Sequence, residues 1–207
     1  TDELTKTHYS FVGWNTQTDG SGINYNESGS DYFLITSNIM LYAQWTENPT
    51  YTITYNGNDN TSGLAPVDNT RYYEGQTASI LLNTGNLKKD GYAFAGWNLA
   101  KDGQGEIYSG GQTITIQTTS LVLYAKWIKT YTVTYFGNGE VSGLTPLDNN
   151  RYAPNAIVTV LNNSGYLKKD YYTFAGWNTQ ADGSGSFYIA GQTFDMPNAN
   201  VSLYAQW

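Results

Sequence analysis

Tyr131, Val133 and Tyr135 alternate with Thr132 and Thr134. This period of two predicts a strand whose tyrosine and valine side chains face a core while the threonines face solvent. Ala156 to Leu161 is a β-branched run and reads as a second strand. Tyr172 to Trp177 reads as a third, aromatic strand, and Thr193 to Met196 as a short extended piece. In the last strand Val201, Leu203, Ala205 and Trp207 alternate with Ser202, Tyr204 and Gln206. Turn chemistry separates these runs: Gly137-Asn138-Gly139 through Asn149-Asn150, Asn162 to Gly165, and Asp182-Gly183-Ser184-Gly185. The best places for a helical turn are Tyr188-Ile189-Ala190 and the segment between the first two strands.

The pattern repeats. Residues 51–127 align with 131–207 without a gap, 77 residues each. Tyr51-Thr52-Ile53-Thr54-Tyr55 matches Tyr131-Thr132-Val133-Thr134-Tyr135, and Leu87-Lys88-Lys89-Asp90 matches Leu167-Lys168-Lys169-Asp170. The aromatic strand occurs a third time, as Tyr9-Ser10-Phe11-Val12-Gly13-Trp14-Asn15. Residues 1–45 correspond only to the C-terminal half of a unit. The chain therefore reads as a partial repeat at 1–45 and complete repeats at 51–127 and 131–207. Half a unit leaves an unpaired strand edge, expected to pack on the second repeat or to pair with another molecule. Within the aromatic strand, alternation puts Tyr172 and Phe174 on one face and Trp177 on the other with Thr173 and Ala175. All three aromatics are expected mainly in the core.

Composition narrows the class. The net charge is −7 over 207 residues, which excludes the positive field that nucleic acid requires. No run reaches the roughly 18 apolar residues of a membrane span, so membrane insertion is not expected. Tyr (19), Trp (6) and Gly (22) are abundant and charged residues are only 13%, a mixture suited to half-buried pleated surfaces and turns. There is no cysteine, hence no disulfide framework. A mainly β fold (α+β at most), cut from a longer exported chain, is the expectation.

The run Gly91-Tyr92 to Asn98, then Asp102 to Gly105, Gly111 to Ile114 and Leu121 to Trp127, with its counterparts Tyr172 to Asn178, Asp182 to Gly185, Gly191 to Phe194 and Val201 to Trp207, resembles the Listeria–Bacteroides repeat. Such repeats occur as the B repeats of internalins and in many bacterial surface proteins. The resemblance implies tandem β-grasp-like units, a sheet around a short helix or its equivalent, in an extended array on an exported, wall-attached protein. It carries no catalytic residues. Ile114 stands where the pattern has Phe, and Tyr171 where it has Gly.

Candidate chemistry is sparse. His8 is the single histidine, so no recurring triad or histidine metal site exists. Asp19, Asp102 and Asp182 open equivalent glycine loops; one acid per loop fits a turn cap better than calcium, which needs six to eight oxygens. Lys88-Lys89-Asp90 and Lys168-Lys169-Asp170 read as solvated loops, with an intramolecular isopeptide bond as the alternative. Arg71-Tyr72 and Arg151-Tyr152 are identical in both complete repeats. They either pin the long loop or form a repeated ligand contact, and are the candidate binding residues. No catalytic, cofactor or metal residues are assigned. The expected function is a non-enzymatic stalk or spacer of a bacterial surface protein, flanked by neighbouring repeats. The alternative is an adhesin that binds host protein or glycan.

Overall fold

A computed structural model describes residues 4–25 and 36–207; the remainder of the 1–45 partial repeat lies outside the described residues. Two compact units form. One comprises the described residues of 1–54 with 67–80 and 111–122; the other comprises 55–66, 81–110 and 123–207. The division runs through the second repeat, and the third repeat lies wholly within the latter unit.

The third repeat gives the architecture. Its first strand, Val133–Phe136, pairs in parallel with its last, Val201–Gln206. The last strand also pairs antiparallel with Gly176–Asn178, which in turn pairs with Phe187–Tyr188. Ile157–Thr159 and Thr193–Asp195 form a separate antiparallel ribbon. Between the four-stranded sheet and the ribbon lies one core: Val133, Tyr135, Trp177, Leu203 and Ala205 from the sheet, Val158, Val160 and Met196 from the ribbon and its ends, and Leu167 from the intervening loop. The second repeat has the same sheet order. Its buried residues Ile53, Tyr55, Ala78, Ile80, Leu87, Trp97, Ile116, Leu123 and Ala125 are the third repeat's core positions shifted by 80. Two large aromatics per repeat supply the apolar area that so short a unit otherwise lacks.

The fold is all-β. No helix is present among the described residues, which corrects both expected helical turns. After Phe187–Tyr188 the chain makes a tight turn, with the Ile189 amide donating to Gln192 Oε1 (2.9 Å) and Gln192 N to Ile189 O (3.2 Å). The segment between the first two strands carries Gly137, Gly139, Gly143 and Pro146, which disfavour helix. The core layer that a helix would supply is provided by the ribbon. Among the described residues there is no helix long and apolar enough to cross a membrane.

The aromatic strand departs from strict alternation. In the second repeat Phe94 pairs with Trp127 and Gly96 with Lys126, so Ala95 is an extra residue; Val12 is its counterpart between Phe11 and Gly13. Such a β-bulge turns the strand and changes which face the following side chains occupy. Phe94 and Trp97 thus share a face (centroids 5.2 Å apart), and Phe174 meets Trp177 at 5.1 Å. The expectation that these rings lie on opposite faces is overturned. So is the core placement of Tyr172, which is 59% exposed with Lys169 Nζ 5.0 Å above its ring.

In the first repeat, Tyr9–Asn15 pairs with Tyr42–Glu47 on one side and Asn24–Tyr25 on the other. The outer edge of Tyr42–Glu47, where complete repeats receive their parallel first strand, has no partner among the described residues. The half-repeat is tied to the second repeat's chain by His8, whose ring stacks on Tyr73 (3.8 Å, 9°), and by Ser10 Oγ donating to Asn48 Oδ1 (2.6 Å).

Candidate functional site

Arg151 sits at the connection between the second and third repeats. Its Nε donates to Thr130 Oγ1 (2.9 Å) and its Nη2 to the Thr130 carbonyl (3.1 Å). Thr130 is itself buried, and its amide donates to the Gly91 carbonyl at 2.8 Å. One connecting residue is therefore bonded to both repeats. Fork geometry makes this possible, since guanidinium donors leave the same side in fixed directions. Arg71 is placed equivalently, and its Nη1 donates to Thr50 Oγ1 at the longer distance of 3.5 Å.

The adjacent tyrosines pin the long loop. Tyr152 Oη donates to Asp148 Oδ2 and Tyr72 Oη to Asp68 Oδ2, both at 2.8 Å. Burial raises both tyrosine pKa values above 10.0, and the bonds to the carboxylates act in the same direction. At Asp68 burial acts upward, but the bonds from the Thr70 amide and from Tyr72 outweigh it and lower the pKa below 3.8. The four candidate residues thus lie at connections and loop bases, each pair within its own compact unit. Arg71 borders an open cleft of about 520 Å³ with Glu47, Asn48, Pro49, Thr50 and Tyr73.

Each acidic loop is a capped turn. Asp182 Oδ1 accepts from the Ser184 amide (3.0 Å) and hydroxyl (2.7 Å), Asp19 does the same with Ser21, and Asp102 accepts from the Gln104 amide (2.9 Å). The serine hydroxyls and amides lower the pKa of Asp19 and Asp182. The lysine turns are tethers. Lys89 Nζ donates to the backbone carbonyl of Asn58 (3.4 Å), with no amide side chain as its partner, and Asp90 accepts from Thr61 Oγ1 (3.2 Å).

Sequence reasoning overlooked the asparagine that follows each aromatic-strand tryptophan. Asn15, Asn98 and Asn178 are buried. Asn178 Oδ1 accepts from the amides of Gln180 (2.8 Å) and Gly185 (3.1 Å), and its Nδ2 donates to the carbonyls of Gly183 (3.1 Å) and Gly185 (3.2 Å). A Cβ on Gly185 would lie 2.8 Å from that Oδ1, so glycine is required for the close approach. The signal was present in the sequence: Trp-Asn recurs in all three copies.

The aromatic core has a similar economy. Trp177 Nε1 donates to the Leu161 carbonyl (2.9 Å), and the Leu161 amide donates to Tyr135 Oη (2.9 Å). Trp97, Leu81 and Tyr55 reproduce the arrangement at 2.9 and 2.8 Å. Trp207 and Trp127 donate to the carbonyls of Gly137 and Gly57, each at 3.0 Å. No buried side-chain nitrogen or oxygen among the described residues is left without a partner.

Comparison with known proteins bears on this shared architecture. A "Putative Gly-rich membrane protein" of Evansella cellulosilytica is 37% identical over 162 residues, covering 76% of this chain and 18% of the relative. A "Putative membrane protein" of the same organism is 33% identical over 178 residues, 84% of this chain and 24% of the relative. The chain thus spans about a fifth to a quarter of the length of these relatives. No solved structure shows a significant match. The profile of the Listeria-Bacteroides repeat domain matches residues 1–44, 51–126 and 131–206. Recurring Trp-Asn loops, aromatic clamps and glycine turns are what that match covers, and the chain belongs to the Listeria-Bacteroides repeat family.

Proposed function

We propose that the chain is a non-enzymatic spacer in a bacterial surface protein, placed outside the cell and projecting other domains from their anchor. The observation that carries this reading is the use made of the residues common to both complete repeats. Their tryptophans, asparagines, aspartates and Arg-Tyr pairs hold core, loops and connections. The relatives' names, both membrane proteins, support placement at the cell surface. Solution scattering tests the reading: each added repeat lengthens a spacer by roughly 25–30 Å, the diameter of a compact unit of this size. Growth as a compact globule contradicts it.

A second reading, an adhesin for host protein or glycan, is favoured by an exposed apolar pair that recurs. Leu64 and Val67 are 78% and 74% exposed, and Leu144 and Leu147 are 76% and 77% exposed. Repetition of a weak contact multiplies its strength through effective concentration. Binding of the chain to a glycan array or to host-cell proteins, lost on Leu64→Ser with Leu144→Ser, supports this reading; silence in both assays leaves the spacer.

A further inference from the structure

The turn before each aromatic strand is built the same way three times. Tyr9 N donates to Lys6 O, Tyr92 N to Lys89 O and Tyr172 N to Lys169 O, at 3.0, 2.9 and 3.1 Å. The residue ahead of each tyrosine has positive φ: His8 +66°, Gly91 +80° and Tyr171 +67°. In the first two copies this residue is bonded to the chain that leads into the next repeat. The His8 carbonyl accepts from Asn48 N (2.9 Å) and the Gly91 carbonyl from Thr130 N (2.8 Å), each donor lying three residues beyond its repeat's final tryptophan.

The side chains at this position differ, and their counterparts differ with them. At the first connection the His8 ring stacks on Tyr73, and residues 46–50 separate Trp45 from Tyr51. At the second, residues 128–130 alone separate Trp127 from Tyr131, Ala153 stands at the place of Tyr73, and Arg151 closes over the turn. A Cβ on Gly91 would lie 3.5 Å from Arg151 Nη2, in ordinary contact with the clasp. There are thus two kinds of connection. One is long and aromatic on aromatic; the other is short, with small residues beneath an arginine clasp.

Tyr171 belongs to the first kind. Like His8, it places an aromatic ring where the second connection has Gly91. It is 103% exposed, so it adds nothing to the core of its own repeat, and its left-handed backbone is unfavourable for a non-glycine residue. We infer that Tyr171 is a docking residue for a further repeat of the second repeat's type, reached by a five-residue connection and presenting an aromatic ring at the place of Tyr73. This rests on the spacer reading, since it concerns how such repeats are joined.

The test extends the full chain after Trp207 by a copy of residues 46–127 or, separately, by a copy of residues 128–207. Nitration of Tyr171 is followed by peptide mass spectrometry, and particle length by scattering. The expected result is at least several-fold slower nitration of Tyr171 with the 46–127 extension only. Protection is lost with Tyr73→Ala in the appended copy and kept with Tyr73→Phe, which preserves the stack. Equal nitration in the chain and in both extensions overturns the inference, as does equal protection by both. Concentration-dependent protection in the unextended chain also overturns it, assigning the surface to a second copy. An elongated particle with unprotected Tyr171 removes this inference and leaves the spacer; a globular particle with protected Tyr171 removes the spacer.

Discussion

Phe94 and Trp97 stand three residues apart on one strand, yet their rings meet edge to face at 5.2 Å and 73°. The extra residue Ala95 makes this contact, and Gly96 makes the extra residue tolerable. Gly96 has φ +129°, and a Cβ there would lie 2.8 Å from Ile107 Cγ2 and 2.9 Å from the Tyr108 carbonyl oxygen. Gly96→Ala is expected to lower stability by about 2–4 kcal/mol, combining backbone strain with overpacking. Urea unfolding of the variant checks it; a loss below about 0.5 kcal/mol, the scale of an ordinary surface substitution, would show that the bulge does not depend on glycine.

Tyr135 offers a cleaner substitution. Tyr135→Phe keeps the ring against Trp177 (4.8 Å) and removes only the acceptor for the Leu161 amide. A buried amide left unsatisfied costs about 1–3 kcal/mol. The expected outcome is a loss in that range, with faster hydrogen exchange at Leu161. Tyr55→Phe should act alike through Leu81, so the pair serves as an internal replicate.

Asn178→Ala removes four hydrogen bonds from one loop. Because the loop is partly open, water can replace some of them, and the expected cost is about 2 kcal/mol. Amide exchange at Gln180 and Gly185 should quicken well beyond any change at Leu203, which lies in the core.

Two ionisable sets define the pH range of stability. Burial raises Tyr72, Tyr108, Tyr135 and Tyr152 above 10.0; hydrogen bonds to Asp68, Glu106 and Asp148 add to this for three of them, and the Leu161 amide opposes it at Tyr135. A raised pKa means the folded state holds the proton better. This contribution is fully present below about pH 10, the unfolded tyrosine value, and is lost as pH rises through the folded values. Asp19, Asp68 and Asp182 are lowered below 3.8, so their contribution is present above that value and lost as pH falls through the folded ones. Melting temperature against pH should therefore be flat between these limits and fall at both. Tyr152→Phe should soften the alkaline fall.

Much of this fold is legible in the sequence because its pattern is local. Alternation locates Val133, Tyr135, Leu203 and Ala205, and the 80-residue shift transfers each position to the second repeat. The bulge is not legible. A single inserted residue leaves the apolar pattern intact while changing the faces, so plain alternation sends Phe174 and Trp177 to opposite sides. The helix expectation fails because a family-level β-grasp likeness does not supply helical periodicity to segments that lack it. At the candidate site, the identity of Arg71-Tyr72 and Arg151-Tyr152 marks residues that the structure places at connections and loop bases. The equivalent threonines Thr50 and Thr130 are the arginines' partners, and the difference in geometry accompanies a two-residue change in connection length, which no pattern within one repeat encodes.

Arg151→Ala should separate rigidity from folding. The core of the third repeat does not contain Arg151, so its unfolding should change by about 1 kcal/mol or less, whereas exchange of the Thr130 amide should quicken at least tenfold. The decisive question is whether the clasp makes one body of what it joins. Residual dipolar couplings would be collected for residues 81–110 and 131–207 in one weakly aligned sample. A single alignment tensor should fit both sets in the native chain, and the fit should fail in Arg151→Ala. Two independent tensors in the native chain would contradict the clasp, because the connection at Thr130 would then be a flexible tether.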